Sequence, residues 1–269
     1  MIETMWTPAS DGVLAGARTG GDTGEAIFFV HGVGSTAAIW DYQLDALCDR
    51  YRCYAIELRG NGAAENDPDP SVISREGFAR DVLAVADAAE IGRFHLVGCS
   101  LGGVVGFELW RHAPGRIASM TIVGSFARYP DNAQYAAAII ANVSAAESLE
   151  AFARERGAKV LPPGAPPRRI EETISQMGDK SLPCYIASTH ATWTGDYRNE
   201  LGSITVPALV VCGELDPIAP RALSEEIADG IPGARLEVVA GAGHVVNADT
   251  PELFNLLLTA FLARSESFL

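Results

Sequence analysis

Short apolar runs recur along this chain, and segments with helical spacing of their apolar positions lie between them. The run AIFFV at 26–30 is typical of a strand buried on both faces, because it has no polar alternation. Residues 75–90 are predicted as a helix, with Phe78, Val82 and Val85 on one apolar face. Further strands are predicted at 53–58, 94–98 and 117–123, and a further helix at 104–112. This alternation predicts a parallel sheet with helices on both faces.

The two ends of the chain complete the pattern. Turn signals at 9–12 and 20–22 predict short strands on either side of each turn, which would form an antiparallel hairpin. After the stretch HGVG, Ser35 or Thr36 is predicted to cap a helix. The apolar face of that helix contains Ile39, Trp40, Leu44 and Leu47. Beyond residue 200, strands are predicted at 206–212 and 235–239, and helices at 220–229 and 251–263.

Residues 127–200 interrupt the alternation of strands and helices. Helical stretches are predicted around 132–158 and 170–191, and the stiff proline-rich stretch LPPGAPP separates them. No strand pattern of the earlier kind occurs in this part of the sequence. We therefore predict a core formed by residues 1–126 and 201–269, with residues 127–200 as a helical lid or cap over the sheet.

The composition is that of a globular chain, with 48% hydrophobic and 20% charged residues among 269. A formal net charge of −14 disfavours nucleic acid and anionic membrane as partners, since both bind clustered Lys and Arg. The N-terminal residues have no signal-peptide pattern, and no apolar run approaches the roughly 18 residues that span a bilayer. We therefore expect a soluble cytoplasmic protein that is monomeric or homodimeric.

The number and spacing of the cysteines give no indication of a bound metal. Five cysteines occur, an odd number, and no Cys-x-x-Cys pair is among them. A disulfide framework or a zinc site is therefore not expected, and a reducing compartment is indicated. No other metal-ligand spacing is present, so the sequence predicts neither a metal nor an organic cofactor. The cysteines are Cys48, Cys53, Cys99, Cys184 and Cys212.

The stretch GCSLGG at 98–103 contains G-x-S-x-G at the joint between a predicted strand and a predicted helix. A serine in this position sits on a sharp turn, with its hydroxyl above the edge of the sheet. A serine hydroxyl is a poor nucleophile at neutral pH. It needs a base, a group that orients the base, and donors for the developing oxyanion. Ser100 is the candidate nucleophile if the rest of the chain supplies these groups.

His244 is the candidate base. It lies in the glycine-rich stretch AGAGH after a predicted strand, at the carboxyl edge where open α/β sheets bind ligands. Asp216 follows the strand at 206–212 at the same edge and is the candidate acid that would orient His244. Glu214 is a close rival, and a role in the turn or as a helix cap is the alternative for either acid. Three other histidines are expected to be structural or solvated, namely His95, His112 and His190.

Two backbone amides are candidates for the oxyanion site. The Leu101 amide lies at the start of the predicted helix, where N–H groups are free and the helix dipole favours negative charge. A second donor is expected from the loop after the strand at 26–30. Val33 in HGVG is the candidate for this donor, although HGVG also fits a plain tight turn.

The order serine, aspartate, histidine, in these placements, resembles that of the α/β-hydrolase fold. The chain is similar to this superfamily from about residue 5 to residue 265, and its insertion resembles the superfamily's lid. LRGNG at 58–62 resembles the loop after the fourth strand. The resemblance implies an eight-stranded, mostly parallel sheet with the site at its carboxyl edge. Haloalkane dehalogenases and epoxide hydrolases of this fold use an aspartate nucleophile, whereas Ser100 implies acyl transfer through an acyl-enzyme, with His244 as base and then acid.

Among the serine members, several details resemble the 3-oxoadipate enol-lactonase group of esterases and lactonases. These are the short lid, Trp40 soon after HGVG, the pair Cys184-Tyr185, and HVVN at 244–247 followed by Pro251. The leading prediction is a serine hydrolase of a small ester or lactone. A carbon–carbon-bond hydrolase of aromatic ring-cleavage products would use the same triad, although such enzymes often have a tryptophan where Val245 and Val246 stand. A non-catalytic small-molecule receptor on this scaffold is the third alternative.

Candidate substrate-binding residues come from aromatic and basic side chains near the site. Trp40, Tyr185 and Trp193 are candidates to line an apolar acyl pocket, with core packing as the alternative. A carboxylate on the substrate would favour an arginine as its partner, and otherwise such arginines are solvated charges. The arginines in or near the insertion are Arg128, Arg154, Arg156, Arg168 and Arg169.

Overall fold

One sheet of eight strands forms the centre of the protein in a computed structural model that describes residues 2–61, 68–178 and 180–265. The strands are β1 (Glu3–Pro8), β2 (Leu14–Gly20), β3 (Ala26–Val30), β4 (Arg52–Glu57), β5 (Phe94–Cys99), β6 (Ile117–Val123), β7 (Ala208–Gly213) and β8 (Arg235–Val239). Their order in the sheet is β1-β2-β4-β3-β5-β6-β7-β8. β2 is antiparallel to both of its neighbours, and the other pairs are parallel. The predicted eight-stranded, mostly parallel sheet is confirmed.

Helices connect the parallel strands and also follow the last strand. They are α1 (Asp41–Leu47), α2 (Arg75–Ala88), α3 (Leu101–His112), α4 (Asn132–Ala145), α5 (Leu149–Val160), α6 (Pro167–Gly178), α7 (Leu182–Trp193), α8 (Arg198–Leu201), α9 (Arg221–Gly230), α10 (Val246–Asp249) and α11 (Pro251–Ser265). α3 begins at Leu101 and not at the predicted Val104, because the serine turn leads directly into the helix. Thr36 precedes a 3-10 turn that leads into α1, but its side chain makes no capping hydrogen bond. Within the described ranges, no helix combines the length and apolarity that crossing a bilayer requires.

The central strands are buried because helices cover both faces of the sheet, and β3 is apolar throughout. Every residue of β3 is buried, and successive side chains of a strand point to opposite faces. Phe28 packs into the hydrophobic cluster that includes Phe78 of α2 and Phe107 of α3. Phe29 packs into the opposite cluster, which includes Phe254 of α11. Burial on both faces thus accounts for the continuous apolar runs in the sequence.

In its described part, the chain between β6 and β7 adds no strand to the sheet and is formed mainly by α4 to α7, here called the helical segment. Each of the two long helical stretches predicted there is divided into two helices. The Ser148 side chain accepts a hydrogen bond from the Ala151 N–H at 3.0 Å, and the Ser181 side chain accepts from the Cys184 N–H at 3.3 Å. Each serine caps a new helix and so ends the continuity of the predicted stretch. α4 packs against α7, and α5 packs against α6.

The two ends of the helical segment meet. Arg128 and Asp196 form an isolated antiparallel bridge, and Arg128 Nε lies 3.7 Å from Asp196 Oδ2. Beside this bridge the Tyr197 N–H donates to the Ala127 carbonyl at 2.9 Å. We call these four residues the neck, since the helical segment leaves and rejoins the rest of the chain through them.

A buried arginine ties the loop after β4 to two other elements. Arg59 Nη2 lies 2.7 Å from Asp81 Oδ1 in α2, and Arg59 Nη1 lies 2.6 Å from Asp11 Oδ2 in the turn between β1 and β2. Arg59 and Asp81 are both fully buried, so removal of Arg59 would leave the Asp81 carboxylate as an uncompensated buried charge, whereas removal of Asp81 would leave Arg59 with Asp11 alone. These ion pairs give the arginine of the LRGNG stretch a structural role. Gly62 of the same stretch lies outside the described residues.

Candidate active site

Ser100 occupies the sharp turn between β5 and α3. Its backbone has φ 54° and ψ −114°. A sparsely populated conformation of this kind costs a non-glycine residue about 1–3 kcal/mol, and such residues concentrate at functional sites. Two hydrogen bonds hold the turn. The Ser100 N–H donates to the Val123 carbonyl at 2.9 Å, and Ser125 Oγ donates to the Ser100 carbonyl at 2.7 Å.

The glycines of G-x-S-x-G are required by close packing around this turn. A Cβ atom on Gly98 would lie 2.3 Å from the Gly102 carbonyl oxygen. A Cβ atom on Gly102 would lie 2.1 Å from the Val30 carbonyl oxygen. Non-bonded heavy atoms do not approach so closely, so only glycine lets α3 begin directly against β3 and β5.

His244 and Asp216 form a buried pair in the loops that follow β8 and β7. His244 Nδ1 lies 2.8 Å from Asp216 Oδ2. The other carboxylate oxygen of Asp216 accepts from the Ile218 N–H at 2.8 Å and from the Ala219 N–H at 2.9 Å. These contacts fix the carboxylate. They also favour the proton of neutral His244 on Nδ1, which leaves Nε2 as the acceptor.

Gly124, directly after β6, makes room for the His244–Asp216 pair. A Cβ atom on Gly124 would lie 3.3 Å from both His244 Nδ1 and Asp216 Oδ2, and 2.6 Å from the His244 carbonyl oxygen. Gly124 also has φ 51°, a conformation that favours glycine. This residue was not predicted from the sequence. The available signal was a glycine placed directly after a buried strand, at the carboxyl edge of the sheet.

Glu214, the rival acid, makes a different contact. Its side chain is exposed, and its Oε2 accepts a hydrogen bond from the Gly241 N–H at 3.0 Å. Glu214 thereby braces the loop that leads to His244. The structure pairs the histidine with Asp216 and not with Glu214.

The other four histidines lie outside this pair. His31 is buried, its Nε2 accepts from the Leu58 N–H at 3.3 Å, and its Nδ1 lies 2.8 Å from the Gly32 carbonyl oxygen. His31 therefore helps to shape the HGVG turn. His95 contacts Ser119 and Glu25, His112 contacts Glu108, and His190 is exposed. Among the described residues, no three His, Cys, Asp or Glu side chains are grouped as ligands for a metal ion.

A cavity of about 60 Å³ lies where these elements meet. Ser100, His244 and Val33 all line it, so the candidate nucleophile, the candidate base and one candidate oxyanion donor face one space. The helical segment contributes a further part of the lining, namely Arg156, Val160, Thr173, Gln176 and Met177. Ser35 Oγ donates to Gln176 Oε1 at 2.8 Å and links the loop after β3 to α6.

The two candidate oxyanion amides belong to backbone close to Ser100. Leu101 is the first residue of α3, and the first amides of a helix have no acceptor within that helix. Val33 follows Gly32, where a Cβ atom would lie 3.2 Å from Ser100 Cβ. The HGVG loop therefore passes the serine at close range, and a larger residue at position 32 would crowd it.

The two predicted pocket tryptophans do not line the cavity. Trp40 is wholly buried, with its ring centroid 5.2 Å from that of Phe29 and 6.2 Å from that of Phe254. Trp193 is buried against Phe126, at a centroid distance of 4.9 Å. This corrects the prediction for both residues. Their spacing along a helix predicts burial, but it does not predict which neighbours cover them.

Tyr185 lies one layer behind the lining. It is buried, and its Cε2 atom lies 3.3 Å from the position that a Cβ atom on Gly34 would occupy. Gly34 itself lines the cavity. The phenol ring therefore supports the loop after β3 without facing the cavity, which corrects its predicted place in the lining.

A second carboxylate, Asp249, lies beside the loop of His244. Its Oδ2 accepts a hydrogen bond from the Gly243 N–H at 3.0 Å. Burial raises the pKa of Asp249 to about 6, although the Gly243 hydrogen bond and the nearby Arg169 and His244 act in the opposite direction. Asp249 holds the backbone next to the histidine, and it was not predicted from the sequence.

An α/β sheet with a strained serine after β5 and a histidine–aspartate pair at the carboxyl edge defines the class of α/β hydrolases. The family model described as Alpha/beta hydrolase family matches residues 27–255. The chain belongs to this family, and the predicted resemblance is confirmed.

Individual relatives cover nearly the whole chain. RutD of Azorhizobium caulinodans, named as a carbamate hydrolase, is 31% identical over 248 residues, which are 88% of this chain and 91% of that protein. The 3-oxoadipate enol-lactonase 2 of Acinetobacter baylyi is 26% identical and covers 95% of each chain. The crystal structure of a hydrolase from Pseudomonas aeruginosa PA01 has a TM-score of 0.89 at 30% identity, covering 97% of this chain and 98% of the other. These similarities support the predicted hydrolase class.

Proposed function

We propose that the protein hydrolyses a small carboxylic ester or lactone through an acyl-enzyme on Ser100. The observation that carries this proposal is the cavity shared by Ser100 and His244, with Asp216 Oδ2 2.8 Å from His244 Nδ1. A carboxylate that holds one ring nitrogen leaves the other free to accept the serine proton.

The proposed reaction has two halves. Ser100 Oγ attacks the carbonyl carbon while His244 Nε2 takes the hydroxyl proton, and Asp216 stabilises the resulting imidazolium. The carbonyl oxygen becomes an oxyanion that accepts hydrogen bonds from the amides of Val33 and Leu101. The bond to the leaving oxygen then breaks, and that oxygen takes the proton from His244.

Water completes the cycle. His244 removes a proton from a water molecule as its oxygen attacks the acyl carbon of the acyl-enzyme. The second tetrahedral intermediate collapses, the bond to Ser100 Oγ breaks, and Ser100 regains the proton from His244. The products are a carboxylic acid and an alcohol, which stay joined in one molecule when the substrate is a lactone.

The names of the relatives fit this chemistry. Carbamates, enol-lactones and esters all contain a carbonyl carbon that passes through a tetrahedral oxyanion on attack by a hydroxyl. The small cavity, about 60 Å³, favours a small acyl group. The residues that α5 and α6 contribute to the lining support a role of residues 127–200 as a lid over the site.

Turnover of p-nitrophenyl acetate and p-nitrophenyl butyrate by the wild type and by Ser100→Ala tests the proposal. We expect the wild type to release p-nitrophenol and Ser100→Ala to lose this activity while it keeps its circular dichroism spectrum. A fluorophosphonate probe should label the wild type at Ser100 and fail to label the variant. Retained turnover by Ser100→Ala would reject Ser100 as the nucleophile. A wild type with neither turnover nor labelling would favour the receptor alternative, and cleavage of ring-cleavage dienoates alone would favour the carbon–carbon hydrolase.

A further inference from the structure

One arginine of the helical segment faces the cavity without a carboxylate partner. Arg156, in α5, lines the same cavity as Ser100 and His244. Across the ranges that the structure describes, no carboxylate lies within ion-pair distance of Arg156. Arg156 is half-buried, so its charge is only partly solvated.

The other arginines in or near the helical segment are all paired. The pairs are Arg154 with Glu150 (2.9 Å), Arg168 with Glu172 (2.7 Å), Arg169 with Glu172 (3.0 Å) and Arg128 with Asp196 (3.7 Å). Helical spacing explains the three pairs that lie within helices, since residues three or four apart are neighbours on a helix. At those positions around Arg156 the chain has no acidic residue, but Phe152, Ala153, Lys159 and Val160.

The neighbours of Arg156 leave its positive charge uncompensated. The guanidinium is close enough to the phenols of Tyr129 and Tyr185 to lower their pKa values, although burial is the larger effect and raises both. Both phenols are therefore neutral at physiological pH. The described lining of the cavity also contains no aspartate or glutamate, so an anion that enters it meets no like charge there.

We propose that Arg156 binds a carboxylate of the substrate, so that the enzyme selects esters or lactones that carry such a group. This inference rests on the proposed function, because it concerns the same cavity. Guanidinium pairs with a carboxylate in a bidentate geometry, and the pair strengthens where water is partly excluded. A net charge of −14 repels anions in general, and a local cation such as Arg156 offsets this repulsion inside the cavity.

Matched substrate pairs test the inference. One pair carries the carboxylate on the acyl side, namely p-nitrophenyl hemiglutarate against p-nitrophenyl valerate. The other carries it on the leaving group, namely 4-acetoxybenzoate against phenyl acetate. For the wild type we expect kcat/KM to favour the anionic member of at least one pair by about tenfold or more. Arg156→Gln should lower this anionic-to-neutral ratio by about 10- to 100-fold, the usual cost of losing a charged hydrogen-bond partner.

Two further variants serve as controls for the effect of Arg156→Gln on the anionic-to-neutral ratio. Arg156→Lys should retain part of the preference, because it keeps the charge without the bidentate geometry. Arg154→Gln removes an exposed arginine of the same helix that is already paired with Glu150, and it should leave the ratio unchanged. The inference is overturned if the wild type prefers the neutral member of both pairs, or if Arg156→Gln and Arg154→Gln change the ratio equally.

A binding measurement separates this inference from the proposed function. Calorimetric titration of Ser100→Ala with glutarate should give a Kd that rises about 10- to 100-fold when Arg156→Gln is added. That result supports the inference whether or not esters are turned over. If Ser100-dependent turnover of neutral esters is found but glutarate binding does not depend on Arg156, the proposed function stands and the inference fails.

Discussion

Ser100→Gly tests the strain stored at the serine turn. With φ 54° and ψ −114°, the backbone of Ser100 is in a region that glycine enters freely and other residues do not. Ser100→Ala removes the hydroxyl and keeps the strain, whereas Ser100→Gly removes both. Both variants lack the proposed nucleophile, so a comparison of their unfolding free energies isolates the effect of the Cβ atom.

Ser119 in β6 is a suitable control position, because it is fully buried in a strand and its φ is not positive. Its hydrogen bond with His95 is lost in both variants and so does not affect the difference between them. Replacement of alanine by glycine costs about 0.5–1 kcal/mol in chain entropy and about 0.8 kcal/mol for the buried methyl group. Ser119→Gly should therefore be about 1.5 kcal/mol less stable than Ser119→Ala. At residue 100, relief of about 1–3 kcal/mol of strain offsets this cost. We expect Ser100→Gly to match Ser100→Ala or to exceed it by up to about 1.5 kcal/mol.

Urea unfolding of the four variants, followed by circular dichroism, measures the two differences. The glycine-minus-alanine difference should be about 2 kcal/mol more favourable at residue 100 than at residue 119. For a chain of this size that corresponds to roughly 4–8 °C in melting temperature. The variants at each position should share one m-value, so that midpoints compare directly. An equal penalty for glycine at both positions would refute the strain argument.

Asp216→Asn should lower kcat on p-nitrophenyl butyrate by up to about 10⁴, because the amide favours the wrong histidine tautomer. The kcat of Glu214→Gln should stay within about twofold of the wild-type value, and the reverse order would contradict the assignment of Asp216 as the acid that orients His244. Asp249 binds its proton more tightly in the folded state, with a pKa of about 6 against an ordinary 3.8, so its own contribution to the stability of the wild type falls as the pH rises from about 4 to 6. The stability advantage of Asp249→Asn, measured by urea unfolding, should therefore be about 1 kcal/mol larger at pH 8 than at pH 5, and a constant difference would argue against the raised pKa. Gly102→Ala should lower the free energy of unfolding by about 3 kcal/mol or more, because its Cβ would lie 2.1 Å from the Val30 carbonyl oxygen. Gly115→Ala is the control, because a Cβ atom there has open space and should change the stability little. Similar melting temperatures for the two variants would contradict the packing argument.

The strands and the edge of the site were predictable because local sequence determines them. A strand such as β3 is apolar throughout only where both faces of the sheet are covered. Its position inside the sheet therefore follows from its residues alone. Ser100 lies just after the strand predicted at 94–98, and Asp216 and His244 lie in short loops after two other predicted strands. The carboxyl ends of parallel strands lie at one edge of the sheet, so the sequence alone predicts that the three residues lie at the same edge.

Other features depend on contacts that the sequence does not specify. Trp40 was expected in the pocket, but its helix turns the ring toward Phe254, which lies more than two hundred residues later in the chain. Which of Glu214 and Asp216 pairs with His244 depends on a turn in which the Ile218 N–H donates a hydrogen bond to Asp216. These outcomes are set by tertiary packing, and spacing along one helix or loop does not determine them.

The neck brings the two ends of the helical segment side by side. Arg128 and Asp196 already lie side by side, so a replacement whose ends meet at the same spacing joins β6 to β7 without moving either strand. The entropy of closing such a connection grows only with the logarithm of its length, by about 0.6 kcal/mol for each doubling. A chimera can therefore receive a segment of different length and chemistry between β6 and β7 while it keeps the sheet and its serine turn.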